Sequence, residues 1–421
     1  MKTVILSILI LFITINAMAQ EGFKPRKIAF ITVKAGEFER NKTPLSCIID
    51  GVTLNEEETL ILNELNGSKR TEIPVQIESR NPLKVWWILD RKLNPNQMQT
   101  FELAVGRETV AFREVLIDKD DKAIRLKVFN RKVLQYNYAT IPAPEGQSEL
   151  YARGGFIHPV WAPDGEVLTA IQPKDHFHHL GIWNPWTLAE FEGRTVDFWN
   201  LKDGKGTVKF AGFDSLTIGT VYGGFKALQK HIDLKAPEGE KTAINEQFKI
   251  RVFNIGEAES GPWLWEINST MQCASESPVL LKEYRYGGLG YRATQKWNTA
   301  NSEILTSEGK KREDSDGTRG KWCLISGPTE KARAGMLFVG HPGNYNAPEP
   351  MRVWPPDANG GKENVFFNFC PVKDRDWLLE PHKSYTLKYR VMVFEGKPDT
   401  VKAEQIWQDF ANPPEVMVRV L

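Results

Sequence analysis

The residues best suited to proton transfer lie in one short segment, Asp175-His176-Phe177-His178-His179. It holds three of the chain's seven histidines within four positions, beside an aspartate. A neutral imidazole exchanges protons near pH 7 and also binds metal ions, and an adjacent carboxylate orients its ring. On a strand, His176 and His178 would face one side and His179 the other. The segment predicts either an acid–base centre or a metal site with His176 and His178 as ligands, and the sequence leaves that choice open.

Further polar residues that suit a binding site are spread over four other loop segments. They are Arg153, His158, Arg194, Tyr291, Arg292 and Asn344. Tyr291 is predicted to join the three histidines as a catalytic residue, and the other five are predicted to bind substrate. A guanidinium fork suits a carboxylate, because it can donate two parallel hydrogen bonds. The alternative for each arginine is a salt bridge within the fold.

Glycines precede Tyr291 and Arg292 in the stretch Tyr286-Gly-Gly-Leu-Gly-Tyr-Arg. No helical pattern follows these glycines, so the stretch does not fit a nucleotide-binding loop. Glycines in a strand let the backbone bend or come close to a ligand. Because consecutive strand residues face opposite sides, Tyr291 and Arg292 would share a ligand only if the glycines distort the strand.

Composition excludes several functional classes. The chain has 54 Lys and Arg against 53 Asp and Glu, so charge gives no basic surface for nucleic acid. Its four cysteines stand far apart, which argues against a zinc site of the Cys-x-x-Cys type. No nucleotide or flavin motif occurs, so the sequence requires no cofactor, and a divalent metal remains an open alternative.

The N-terminus has the layout of a secretory signal peptide. A positive Lys2 precedes the apolar run Val4–Ile15, and Ala17-Met18-Ala19 then forms a cleavage site. The apolar run is shorter than the ~20 residues that a membrane-spanning helix needs. We therefore predict a signal peptide over residues 1–19, a periplasmic protein and no membrane span.

The elements that must position these residues are mostly short strands. Residues 24–115 alternate strand and turn signals, contain no histidine, and are predicted to form an N-terminal β-sandwich module. Residues 120–415 continue with many alternating apolar and polar stretches, as in Ala123–Val128, and only Val401–Phe410 suggests a helix. The sequence thus predicts an all-β protein of two domains, with long loops that carry the chemistry.

Five motifs resemble, in order and spacing, those of the PmoA-like family of exported bacterial proteins. They are G-F-I-H-P-V-W-A-P-D-G (155–165), D-H-F-H-H-L-G (175–181), D-F-W (197–199), Y-G-G-L-G-Y-R (286–292) and G-H-P-G-N (340–344). The resemblance implies a role in carbohydrate metabolism. It also implies that the large domain is a galactose-mutarotase-like supersandwich.

The chain is similar throughout to marine flavobacterial oligosaccharide dehydratases of ulvan breakdown. The similarity implies loss of water from a non-reducing-end uronic acid next to a sulfated sugar, which leaves a 4,5-unsaturated uronate for a downstream glycoside hydrolase. The expected partner is a uronate-terminated sulfated oligosaccharide, and no protein partner is indicated. Two alternatives stay open. One is a glycoside hydrolase that pairs two of Asp175, Asp197 and Glu283, and the other is a non-catalytic sugar-binding protein.

Overall fold

The computed structural model describes residues 25–107, 114–256, 261–361 and 364–421. The predicted signal peptide and its cleavage site lie outside these ranges. Within them the chain forms 28 strands in five sheets, and the one regular α-helix, α1, spans Thr400–Ala411. No helix in this part of the chain is long and apolar enough to cross a bilayer. The predicted all-β fold class is confirmed, and the helix lies where the sequence suggested one.

Two small sheets form the N-terminal sandwich. Its strands are β1 (Arg26–Lys34), β2 (Thr43–Ile49), β3 (Glu58–Asn66), β4 (Lys69–Ile73), β5 (Gln76–Arg80), β6 (Leu83–Leu89), β7 (Met98–Arg107) and, from the end of the chain, β28 (Glu415–Val420). The sheet orders are β28-β1-β7-β3-β4 and β2-β6-β5. Alternate residues of β6, among them Val85 and Trp87, enter the apolar core between the sheets. The domain bounds 24–115 and 120–415 stay a prediction. The last strand of the chain, β28, pairs with β1 and so belongs to the N-terminal sandwich.

The first large sheet, sheet A, has eight strands. They are β8 (Val115–Lys119), β9 (Ala123–Val128), β10 (Arg131–Asn137), β11 (Phe156–Val160), β12 (Ile182–Trp183), β20 (Gly290–Arg292), β24 (Met351–Val353) and β25 (Phe366–Phe369). Their order is β24-β25-β20-β12-β11-β10-β9-β8. Four short strands from three distant parts of the chain therefore meet at the β24 end of this sheet.

The second large sheet, sheet B, also has eight strands. They are β15 (Gly206–Thr217), β16 (Tyr222–Asp233), β17 (Lys241–Phe253), β18 (Trp263–Cys273), β21 (Glu303–Thr306), β22 (Trp322–Pro328), β23 (Arg333–Gly340) and β27 (Tyr385–Glu395). Their order is β15-β16-β17-β18-β27-β23-β22-β21. A four-stranded sheet, β14-β13-β19-β26, is formed by β13 (Ala189–Phe191), β14 (Arg194–Val196), β19 (Val279–Leu281) and β26 (Trp377–Leu379).

Sheets A and B share one apolar core, as expected of a supersandwich. Ile157 and Tyr291 from sheet A join Phe248 and Trp265 from sheet B in a single cluster of buried side chains. The helix α1 packs with sheet B residues in a separate apolar cluster that includes Ile406. The predicted large β-supersandwich is confirmed.

Sheet A has a second, partly polar face. Along its strands, consecutive side chains point to opposite sides. Ile182 and Phe367 belong to the shared core, whereas their neighbours Trp183 and Phe366 belong to a separate aromatic cluster. This outer face carries the loop that contains the three neighbouring histidines.

Candidate active site

The histidine segment is a loop of two consecutive hydrogen-bonded turns. The backbone N–H of His176 donates to the Pro173 carbonyl at 2.9 Å, and that of His179 donates to the His176 carbonyl at 3.0 Å. The strand alternation considered for this segment therefore does not apply. Ring centroids lie 4.6 Å apart for His176 and His179, and 4.8 Å apart for His178 and His179. All three imidazoles line one cavity.

This cavity, the histidine pocket, has a volume of about 310 Å³. Besides the three histidines, it is lined by aromatic, amide and guanidinium groups, those of Trp199, Asn200, Arg285, Tyr286, Arg352, Trp354, Asn359 and Phe366. Among the described residues, no carboxylate lines it. The pocket thus offers proton carriers, flat apolar surfaces and positive charge.

Asp175 orients His176 from behind the pocket. Its Oδ2 lies 3.0 Å from Nδ1 of His176, and its two oxygens lie 2.8 and 2.7 Å from Nη2 of Arg292. The Nδ2 of Asn359 donates to the same Oδ2 at 2.9 Å. Burial alone would raise the pKa of Asp175, but the His176 hydrogen bond and the Arg292 charge hold it well below its usual range. The ionised carboxylate accepts the Nδ1 proton of His176, so Nε2 of that ring keeps a free lone pair.

Burial disfavours the charged form of the imidazoles of His178 and His179. Burial lowers the pKa of His178 to about 3, and the neighbouring His176 and Arg292 contribute. Burial also pushes the pKa of His179 well below its usual value. Nδ1 of His179 lies 3.2 Å from Nη1 of Arg292. A guanidinium can only donate, so Nδ1 accepts and the proton of His179 resides on Nε2.

Strand β20 separates the two residues that were expected to share a ligand. Tyr291 faces the core, fully buried, and its hydroxyl donates to the Leu168 carbonyl at 2.8 Å. Burial raises its pKa well above the usual value. Tyr291 therefore does not reach the histidine pocket, and we do not retain the acid–base role predicted for it. Arg292 faces the opposite side, toward the histidine loop, but it is 1% exposed and bound to Asp175 and His179. It thus forms the salt bridge within the fold that was the alternative to substrate binding.

The glycine before Tyr291 serves packing. A Cβ at Gly290 would lie 2.7 Å from Cη2 of Trp199 and 3.3 Å from ring atoms of Trp183. Only glycine lets these two indoles lie against the strand. The close approach that the sequence suggested is thus made by tryptophan side chains of the protein itself.

Two of the predicted substrate-binding residues serve the fold instead. Nε of Arg194 donates to Asp233 at 2.8 Å. Nδ2 of Asn344 donates to Glu349 at 2.6 Å and to the Lys388 carbonyl at 2.9 Å. Neither residue lines the histidine pocket, and both bind partners elsewhere in the large domain.

Arg153 and His158 also lie outside the pocket lining. Nδ1 of His158 is 2.8 Å from Oγ1 of Thr169, and burial lowers its pKa to about 4. Arg153 is 2% exposed, and its Nη1 lies 3.4 Å from the Phe198 carbonyl. Its positive charge contributes to the lowered pKa of His178, so it acts on the site electrostatically without lining the pocket.

The pocket contains two arginines that sequence reasoning missed. Arg285 is exposed, its guanidinium lies 5.4 Å from the Tyr286 ring centroid, and within the described residues it makes no ion pair. Arg352 pairs with Asp316. Arg285 directly precedes the Tyr286–Arg292 motif, so its position was a usable signal. The sequence signal for Arg352 was weaker: it is the outward-facing residue between two buried residues of β24.

The metal alternative rests on two histidines. The ring centroids of His176 and His178 are 5.4 Å apart. In the described part of the chain, no three His, Cys, Asp or Glu side chains are grouped so that they could hold a metal ion. Metal binding by this pair stays a prediction.

Fold and site together define an all-β protein with a histidine-lined pocket on the outer face of a large supersandwich. The model of a family of unknown function, DUF6807, matches residues 123–408, and the chain belongs to this family. No curated protein matches the chain.

Among solved structures, the chain is similar to the α-galactosidase from Lactobacillus brevis, with 8% identity and a TM-score of 0.26. The match covers 70% of this chain and 42% of that one, so this chain spans less than half of that protein's length. This distant likeness carries no argument about function. The comparisons do not support the PmoA-like name or the similarity to ulvan dehydratases.

Proposed function

We propose that this chain is a periplasmic oligosaccharide dehydratase, which removes water from the non-reducing-end uronic acid of ulvan-type oligosaccharides. The observation that carries the proposal is the oriented His176 in a pocket that has histidines and arginines but no carboxylate in its lining. The substrate class comes from the sequence resemblance. The product is a 4,5-unsaturated uronate.

The reaction breaks the C5–H and C4–O bonds and forms a C4=C5 double bond. The C5 proton is weakly acidic because it lies α to the carboxylate. In the proposed mechanism, Nε2 of His176 removes this proton, and the negative charge of Asp175 stabilises the imidazolium that forms. The imidazolium then returns its proton to the departing 4-hydroxyl group, so that water leaves and His176 is regenerated. His179, with its proton on Nε2, can donate a hydrogen bond to the sugar.

Negative charge on the uronate has to be neutralised as the proton leaves. Arg285 is the best placed group, because it lines the pocket and has no carboxylate partner among the described residues. A cation aimed at developing charge stabilises a transition state more than the ground state. The indole rings of Trp199 and Trp354 and the phenol of Tyr286 offer flat surfaces for a sugar ring.

The hydrolase alternative is weaker. A glycoside hydrolase needs two carboxyl groups on either side of the scissile bond. The three acids considered, Asp175, Asp197 and Glu283, are absent from the pocket lining. Asp175 is held ionised by Arg292, and Oδ1 of Asp197 accepts the backbone N–H groups of residues 199 and 200 at 2.8 and 2.9 Å.

The test is incubation with saturated, uronate-terminated ulvan oligosaccharides, followed by ultraviolet absorbance and product mass. We expect a mass loss of one water and rising absorbance from the new double bond. Gain of water with chain cleavage would support a hydrolase, and an unchanged substrate would support binding alone. The variant His176→Ala should lose activity. The matched control is His382→Ala, because the side chain of His382 is 77% exposed and does not line the pocket.

A further inference from the structure

A second cavity lies across the histidine loop from the pocket. Its volume is about 760 Å³. The loop contributes side chains to both cavities: Lys174, Asp175 and Phe177 line the second, while the three histidines line the histidine pocket. The loop therefore forms the wall between the two cavities.

The sizes of the two cavities suggest that they hold different sugar rings of one oligosaccharide. The histidine pocket, at about 310 Å³, is at the small end of ligand sites, which span about 300–1,000 Å³. It suits a single terminal ring, so the rest of an oligosaccharide must continue outside it. The second cavity is more than twice as large and begins on the other side of the same loop.

The lining of the second cavity has the chemistry of a sugar subsite. Four amide side chains line it, those of Gln147, Gln172, Gln295 and Asn364, and amides carry the donors and acceptors that match sugar hydroxyl groups. Nε2 of Gln172 already donates to the carbonyls of Pro142 and Tyr151, so this residue offers its oxygen. The ring of Phe177 offers an apolar face, with its centroid 5.5 Å from that of Tyr151.

The charges in this cavity favour an anionic substituent on one side. Lys174 is exposed and makes no ion pair within the described residues. The charge of Asp175 is already paired with Arg292, and its carboxylate also accepts a hydrogen bond from His176. The one other carboxylate among the described lining residues belongs to the exposed Glu145.

We propose that this second cavity binds the sugar next to the terminal uronate and that Lys174 pairs with a sulfate ester on it. The inference rests on the proposed function for its substrate class. Lys174 immediately precedes Asp175, so the cation that binds the sulfate and the carboxylate that orients His176 belong to one loop.

The test compares Lys174→Gln and Glu145→Gln on sulfated and desulfated forms of the same uronate-terminated oligosaccharides. Exposed ion pairs contribute up to about 1 kcal/mol, so Lys174→Gln should raise KM for the sulfated form up to about fivefold and leave kcat unchanged. Glu145→Gln removes a repulsive charge and should lower that KM. Neither variant should change KM for the desulfated form, and added salt should reduce both effects.

Lys397→Gln, at another exposed lysine, is the control and should change nothing. Equal effects of Lys174→Gln on both substrate forms, or no effect on either, would overturn the subsite. Calorimetric binding separates this inference from the proposed function. If the wild-type protein binds without turnover, a sulfate-dependent affinity loss in Lys174→Gln upholds the subsite while the dehydratase fails. Turnover without sulfate dependence upholds the dehydratase and rejects the subsite. Absence of both binding and turnover rejects both proposals.

Discussion

The two faces of sheet A show how one strand can serve both stability and chemistry. Tyr291 and Arg292 are adjacent, yet the tyrosine lies in the core between the large sheets, and the arginine holds Asp175 and His179 at the site. The same division separates Ile182 from Trp183. Within these strands, alternation therefore decides which residues can serve the pocket.

The faces also differ in how their polar groups are satisfied. The core-facing Tyr291 has one hydrogen bond to a backbone carbonyl. On the outer face, Arg292, Asp175 and His176 form a chain of charge-assisted contacts of 2.7 to 3.0 Å that ends at a ring lining the pocket. Substitutions on the core face should alter stability alone, and those on the outer face should alter turnover.

The largest expected effect is that of His176→Ala. Loss of a positioned base should reduce kcat by at least about 100-fold. Because the His176 ring lines a pocket with about a quarter of its side chain exposed, the melting temperature should change little. Steady-state kinetics and thermal melts check this together, and near wild-type turnover would place the base elsewhere.

Arg292→Ala should impair both stability and turnover. It removes a 1% exposed cation from Asp175 and leaves a largely buried carboxylate with less compensation. Breaking a buried pair costs roughly 3 kcal/mol or more of unfolding free energy. Arg292→Lys keeps the charge and should recover part of the stability. Denaturant unfolding and steady-state kinetics check the two effects, and an unchanged midpoint for Arg292→Ala would show that its pair with Asp175 does not stabilise the fold.

Arg285→Ala should weaken substrate binding and turnover but leave stability nearly unchanged. An exposed side chain without an ion pair contributes little to stability, within about 0.5 kcal/mol. Loss of a charge-assisted hydrogen bond to the uronate should raise KM by about tenfold. A neutral-sugar analogue is the control, since its binding should not depend on Arg285. Equal loss for both ligands would argue against carboxylate recognition.

Tyr291→Phe is the counterpart on the core face. It removes one buried hydrogen bond to the Leu168 carbonyl, so unfolding free energy should fall by about 1 kcal/mol. Values of kcat and KM should equal those of the wild type. A kcat defect without loss of stability would return Tyr291 to the catalytic groups.

A further prediction concerns pH. Burial lowers the folded-state pKa of His158 to about 4, below the unfolded value near 6.5. Its neutral form therefore favours the fold above pH 6.5, and that contribution is lost as the pH falls toward 4. His158→Gln should flatten this part of the curve of unfolding free energy against pH. A slope identical to the wild type would show that His158 titrates normally in the fold.

Sequence patterns predicted the fold class and one part of the site. The alternation of short segments such as Ala123–Val128 gave strands, and the His176–His179 cluster gave the pocket's proton carriers. The facing of Tyr291 and Arg292 depended on whether the glycines distort β20. Gly290 instead accommodates two tryptophan rings, which no local pattern reveals.

The remaining pocket residues depended on pairing between distant strands. Trp354 follows β24 and Phe366 lies in β25, more than 170 residues after the histidine loop. They reach the site because β25 pairs with β20, and β20 pairs with β12. Without that register, neither ring could be assigned to the pocket.

The most direct test of the account is a crystal structure of His176→Ala with a saturated uronate-terminated oligosaccharide. We expect the terminal ring in the histidine pocket, its carboxylate at Arg285, and C5 facing the space vacated by the His176 ring. A terminal ring bound away from this pocket, or one with its carboxylate turned away from Arg285, would contradict the proposed active site.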